Sequence, residues 1–259
     1  MHDAPQSSPA VSSPAEQWLG LKELEELQRG KLLAMLAAVR RGNDFYRDRL
    51  AALPSDLSAT PLAILLQSLP LTTRQELEQD ELDHPPYGTN LTYPLEQYCR
   101  FHQTSGTGGR PMRWLDTPQS WDWFKHCWRI IYGAAGVRPG DRVVFAFSFG
   151  PFVGFWAAFD GAAALGALSI PAGGLSTTAR LKLILDNGAA AVCCTPTYAL
   201  RMAEVAAEEK VDLSRSGVRA IIVAGEAGGS VPEVRARIEA AWGGNARVYD
   251  HHGMTEMGP

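Results

Sequence analysis

Between residues 17 and 50, Leu21, Leu24, Leu27, Leu32, Met35, Leu36 and Val39 recur at helical spacing with charges between them. That period predicts amphipathic helices burying one stripe, connected through Gly30 and Gly42. Farther on, Leu69-Pro70-Leu71-Thr72-Thr73-Arg74-Gln75-Glu76-Leu77 predicts a turn and a helix start. Thr73 is the expected N-cap, and Glu76 three residues later completes a capping box. Beyond Tyr98 the pattern changes. Short apolar runs at 143–147, 167–171, 191–195 and 220–224 predict buried strands, with a last strand at 247–249. Amphipathic stretches at 120–135, 152–165, 177–187, 198–209 and 231–242 predict helices between them.

Strands alternating with helices imply an α/β fold, a parallel-rich sheet flanked by helices with ligands at the carboxyl ends of the strands. The expected division is a disordered tail at 1–16, a helical segment at 17–98 and an α/β core at 99–259. The tail is rich in Ser, Pro and Ala and lacks the basic start and apolar run of a signal peptide. The uncharged run VVFAFSFGPFVGFWAAF, residues 143–159, is short of the roughly 20 residues of a membrane span. Gly150-Pro151 breaks it, so strand, turn and buried helix are expected there.

Composition narrows the partners. With 46% hydrophobic and 20% charged residues, the 259-residue chain can bury a sizeable core. A net charge of -4 argues against nucleic acid. Cys99, Cys127, Cys193 and Cys194 have no CxxC spacing. They read as reduced, structural thiols of a cytoplasmic protein.

Three segments concentrate chemistry. Thr104-Ser105-Gly106-Thr107-Gly108-Gly109-Arg110-Pro111 combines hydroxyls, glycines and a cation after an expected strand. Such a loop can cradle phosphate, because glycines let backbone N–H groups converge on an anion and arginine adds a fixed charge. A polar hairpin turn fits the same residues. Val223-Ala224-Gly225-Glu226-Ala227-Gly228-Gly229 ends a strand in a glycine-rich turn holding one acid, which by itself is equally a capping residue. Tyr249-Asp250-His251-His252-Gly253-Met254-Thr255-Glu256-Met257-Gly258-Pro259 gathers two acids, two imidazoles and a hydroxyl. A carboxylate and a hydroxyl near a polyphosphate suit hydrated Mg²⁺ and an α-phosphate oxygen. The adjacent histidines lack the i, i+4 spacing of a helical metal site.

In this order the three segments resemble the signature of the adenylate-forming superfamily, whose phosphate loop reads roughly [TS]SGTTGKP and whose later motif reads YGxTE. Asn43-Asp44-Phe45-Tyr46-Arg47 and Leu69-Pro70-Leu71-Thr72-Thr73-Arg74 look like segments of its phenylacetate-CoA ligase branch, as does the stretch from Gly225-Glu226 to Glu256. The likeness spans about residues 30–259.

The resemblance implies ATP-dependent activation of an aryl or related carboxylate to an acyl-adenylate, then thioester formation with coenzyme A. By the match, Thr104, Ser105, Gly106, Thr107, Gly109 and Arg110 would hold phosphates. Gly225 and Glu226 would edge the adenine, and Asp250 and His252 belong to the same nucleotide site. Thr255 would lie near the α-phosphate and Glu256 on Mg²⁺, the two carrying the catalytic role. Phe147, Phe149 and Phe152 lie where the family has an aromatic segment beside the acyl pocket, though each is equally an ordinary core residue. The implied cofactors are ATP, Mg²⁺ and coenzyme A; the partners are small molecules, with neither nucleic acid nor membrane, and a homodimer is allowed.

Three departures stand out. Gly108 replaces a loop threonine, Arg110 replaces the loop lysine, and His252 replaces a tyrosine that stacks on adenine. By the same likeness the chain is expected to stop before the ribose-binding aspartate, the hinge and the mobile C-terminal domain with its catalytic lysine. An inactive nucleotide-binding module, or a ligase with an amine or carrier-protein acceptor, is the alternative this leaves.

Overall fold

The computed structural model describes residues 19–106 and 109–259. The expected tail at 1–16, Thr107 and Gly108 lie outside the described residues. Two compact units divide the rest, residues 19–118 and Gln119–Pro259.

The first unit opens with α1 (Leu21–Gly42), followed by α2 (Asp44–Arg47), α3 (Leu62–Ser68) and α4 (Arg74–Asp83). Helix α1 continues through Gly30, where a connection was expected. The roughly 1 kcal/mol that glycine costs inside a helix is outweighed by the Leu, Glu and Lys around it. It does end at Gly42, where Asn43 turns the chain and its side chain accepts the Tyr46 N–H at 3.2 Å to cap α2. Leu36, Leu50, Leu57 and Leu65 form the buried centre. Met35, expected on the buried stripe of α1, is exposed.

The expected capping box opens α4. The Thr73 hydroxyl accepts the Glu76 N–H at 3.3 Å, and Glu76 accepts the Thr73 N–H at 2.6 Å. Strands β1 (Arg100–Gln103) and β2 (Arg113–Asp116) then pair antiparallel, Gln103 opposite Arg113. This hairpin, counted in sequence with the core from residue 99, belongs to the first unit. It is fastened to α4 by the Arg113 N–H, which donates to Glu81 at 2.8 Å.

The second unit is built on one parallel sheet. In chain order it holds α5 (Pro118–Ala134), β3 (Arg142–Phe145), α6 (Val153–Leu165), β4 (Leu168–Pro171), α7 (Thr177–Asp186), β5 (Ala191–Cys194), α8 (Pro196–Glu208), β6 (Ala220–Val223), α9 (Pro232–Ala241) and β7 (Arg247–Asp250). The strand order is β4-β3-β5-β6-β7. These are the expected strands and helices, with bounds shifted only at their ends. The uncharged run at 143–159 is strand, turn and helix, and no helix among the described residues is long and apolar enough to cross a membrane.

Side chains alternate across the sheet as the pleat dictates. Val143, Phe145, Ala191, Cys193, Ala220 and Ile222 face the aromatic side of α5 together with α6. Val144, Val192, Cys194, Ile221, Val223 and Val248 face α7, α8 and α9. Both faces are thus covered, which is why the strands read as continuous apolar runs rather than alternating ones. Among the described residues no cysteine forms a disulfide; burial pushes the Cys193 thiol up to about 12 and raises Cys194 as well, so the adjacent pair behaves as small apolar side chains.

Candidate functional site

In the second unit, two of the motifs meet at the carboxyl ends of neighbouring strands. Val223, the last residue of β6, lies opposite Asp250, the last of β7, and the His251 N–H extends the ladder to the Val223 carbonyl at 3.1 Å. The glycine-rich turn then folds back on β7. A Cβ on Gly229 would stand 2.5 Å from Val223 Cγ2 and 2.6 Å from Asp250 Cγ, so only glycine permits this approach. Asp250 accepts the Ser230 hydroxyl at 2.5 Å, which binds the turn to the strand end.

Glu226 reaches across to α8. Its Oε1 accepts both the backbone N–H and the hydroxyl of Thr197, at 2.7 and 2.6 Å. Helix α8 begins with Thr195 as N-cap and proline in its first turn, so its N–H groups point toward that carboxylate. Burial pushes the Glu226 carboxyl up, but the hydrogen bonds from Thr197 and Thr195 outweigh it and hold the group below the usual range. Glu226 is therefore a fixed anion that shapes the turn, while Gly225 adopts a φ of 90° beside it.

Beyond Asp250, His251 and His252 diverge. The His251 ring lies edge-on to Trp128 of α5, centroids 4.6 Å apart. Burial pushes its imidazole down, against the pull of Asp250, so it is a neutral packing group at neutral pH. His252 is exposed. Met254 and Gly258 close a tight turn, the Gly258 N–H donating to the Met254 carbonyl at 2.8 Å. Thr255 and Glu256 occupy that turn, partly exposed, with no hydrogen bond or ion pair to a described residue. No group of three or more metal-ligating side chains occurs among the described residues. A Mg²⁺ carried on a polyphosphate needs only one or two carboxylates, and Glu256 fits that role.

After β3 the chain enters an aromatic cluster. Phe147 stacks on Phe155 with centroids 4.2 Å apart, Phe149 packs on Trp156 at 4.8 Å, and Phe152 approaches Phe155 at 5.8 Å. Phe147 and Phe149 are half-buried, and Phe152 is 38% exposed. The group therefore presents aromatic surface at the carboxyl end of a central strand, where open α/β sheets bind ligands. Sequence reasoning missed Arg180, a buried cation of α7 that donates to the Ala172 carbonyl at 2.9 Å and the Ala146 carbonyl at 3.2 Å. It secures the backbone just ahead of Phe147. Its i, i+4 position from the Ser176 cap carried no signal of that reach.

The third motif lies in the first unit, as the connection of the β1–β2 hairpin. Its base is closed reciprocally: the Thr104 N–H donates to the Met112 carbonyl and the Met112 N–H to the Thr104 hydroxyl, both at 2.9 Å. Thr104 is buried, so its hydroxyl serves the loop's own shape. Ser105, Gly109 and Arg110 are exposed. Gly106 has a φ of 71°, a left-handed conformation, and its carbonyl accepts the Gly109 N–H at 3.0 Å. Two motifs are thus assembled at one sheet edge, and the third is shaped separately as an exposed hairpin loop bearing a cation.

No protein-family model matches the chain. It is similar to the phenylacetate-coenzyme A ligase of Pseudomonas putida, 32% identical over 218 residues, covering 83% of this chain and 47% of that protein. The protein of the same name from Aromatoleum evansii is 30% identical over 262 residues, covering 97% of this chain and 55% of its own length. Among solved structures, a 2-hydroxyisobutyryl-CoA ligase in complex with 2-HIB-AMP and CoA superposes with a TM-score of 0.88 at 30% identity, over 100% of this chain and 61% of that one. The chain spans about half the length of the curated relatives it matches. Motif order, parallel sheet and these similarities agree that the chain belongs to the phenylacetate-CoA ligase family of adenylate-forming enzymes.

Proposed function

We propose that this chain supplies the ATP-handling residues of an AMP-forming acid-CoA ligase acting on an aryl or related carboxylate. The observation that carries the reading is the pair of motifs at the ends of β6 and β7, with Thr255 and Glu256 making no hydrogen bond or ion pair to a described residue on a turn closed by the Met254–Gly258 hydrogen bonds. In the reaction a substrate carboxylate oxygen attacks the α-phosphorus of ATP and the bond to pyrophosphate breaks, forming an acyl-adenylate. The thiolate of coenzyme A then attacks the acyl carbon and AMP leaves.

Catalysis of this kind is mainly positioning and charge stabilisation. In the second unit the Thr255 hydroxyl would donate to an α-phosphate oxygen; in the first unit Arg110, Ser105 and the Gly106 and Gly109 backbone would bind phosphate. Glu256 would hold Mg²⁺, which offsets phosphate charge when bound. Gly225, Asp250 and His252 border the base and sugar; Glu226, through its bonds to Thr197, sets the shape of that border. The rings of Phe147, Phe149 and Phe152 favour a flat apolar acid, in keeping with the names of the curated relatives.

Calorimetry of the 259-residue chain with ATP and Mg²⁺, beside Glu256→Ala, tests the nucleotide role. Heat of binding that weakens in the variant is expected; absence of heat in both overturns the proposal. Pyrophosphate exchange across a panel of aromatic acids tests the activation step. Exchange that does not depend on any acid refutes it.

A further inference from the structure

Within the first unit, α4 lies against Gly109 and Arg110 and presents them with a charge problem. A Cβ on Gly109 would stand 3.2 and 3.3 Å from the two carboxylate oxygens of Glu78, so the backbone of a loop suited to phosphate passes directly over an anion. A bare carboxylate there repels a polyanion. Arg74, the first residue of α4, answers it: its Nε donates to Glu78 Oε1 at 2.6 Å. The same guanidinium sends Nη2 to the Arg110 carbonyl at 3.0 Å, thirty-six residues away in sequence. One planar fork therefore serves the helix acid and the loop backbone together, which a lysine ammonium does less well. The side chain is held at its root by the Thr73–Glu76 capping box, which fixes the start of the helix.

We propose that Arg74 is a positioning residue for the phosphate loop, tying the Arg110 backbone to α4 and neutralising Glu78 so that the loop accepts a polyphosphate. The proposal rests on the nucleotide role argued above, and gives the Leu69-Pro70-Leu71-Thr72-Thr73-Arg74 segment a purpose beyond starting a helix. It makes Glu78 the source of the penalty and Arg74 its relief, so the two substitutions must not add.

The test is Mg²⁺–ATP binding by calorimetry, at low and high salt, for the full 259-residue chain, Arg74→Met, Glu78→Gln and the double variant, with folding checked by circular dichroism. Loss of one charge-assisted hydrogen bond and exposure of an anion predict roughly tenfold weaker binding in Arg74→Met. Glu78→Gln is expected to bind as well as the natural chain or better. The double variant should recover a substantial part of the loss, and the Arg74→Met deficit should shrink at high salt. Unchanged binding in Arg74→Met, or a double variant as weak as Arg74→Met, overturns the proposal while leaving the nucleotide role intact. If the natural chain itself binds no ATP, the nucleotide role fails, and hydrogen exchange decides the positioning claim separately. Faster exchange of the Gly109 and Met112 amides in Arg74→Met supports it, and unchanged exchange overturns it. Should Arg74→Met not fold, Arg74→Lys carries the same comparison, with an intermediate loss expected and none refuting the claim.

Discussion

Gly161 lies where α6 crosses α5, and replacing it with alanine sets two effects of known sign against each other. A Cβ there would stand 2.4 Å from Trp128 Cβ and 3.2 Å from Trp128 Cγ. Carbon atoms rest at about 3.5 to 4.0 Å, so the helices must part by roughly an ångström. Trp128 has no room to retreat. It is 3% exposed and packed on Tyr132 at 5.3 Å and His251 at 4.6 Å. Overpacking of this kind costs about 1–3 kcal/mol, while alanine for glycine inside a helix returns about 0.5–1 kcal/mol. The balance is a destabilisation of up to about 2.5 kcal/mol, centred near about 1 kcal/mol. Gly133 of α5 is the control, since it is exposed and a Cβ there meets nothing within 4 Å. Gly133→Ala should be neutral or stabilise by up to about 1 kcal/mol. Urea unfolding followed by circular dichroism and tryptophan fluorescence measures both. Equal or higher stability of Gly161→Ala with unchanged Trp128 packing would show that the crossing is looser than its geometry states, and the reasoning would fail.

Three further outcomes are expected. His102 is 1% exposed, and desolvation, then Arg100, holds its imidazole at about 4 against an ordinary 6.5. Its depressed value means that full stability is present above pH 6.5 and is lost as pH falls toward 4, because the unfolded chain takes the proton first. The effect is at most roughly 3 kcal/mol, because the buried Asp116 carboxylate 3.6 Å from Nε2 favours the charged ring, and His102→Gln should flatten the pH dependence of the urea midpoint in that window. Thr73→Ala removes the α4 cap and should cost about 1 kcal/mol, read as faster hydrogen exchange at Glu76 and Leu77. Thr197→Val removes a hydroxyl donor from Glu226, so its carboxyl should titrate higher; an unchanged value in an NMR titration would show that the Thr197 contact does not hold it down.

The sheet and its helices were legible in the chain because period and length are local properties. Runs such as 191–195 and 220–224 are uniformly apolar since both faces of a parallel sheet are covered, and the Thr73–Glu76 box is written in residues three apart. The path of α1 through Gly30 was not legible, because a glycine's cost inside a helix is small beside the sum of its neighbours.

Motif order alone pointed to the family, and it identified the residues at the ends of β6 and β7. What those residues touch was decided by tertiary structure. Glu226 is engaged by Thr197, twenty-nine residues earlier in sequence, and Asp250 by Ser230, because parallel pairing brings strand ends together whatever their separation along the chain. Thr104 turns its hydroxyl into the base of its own loop, and Arg74 joins that loop to a helix that no pattern linked to it. Residue types and their order are properties of the sequence; hydrogen-bond partners and desolvation depend on distances that exist only once the chain has folded.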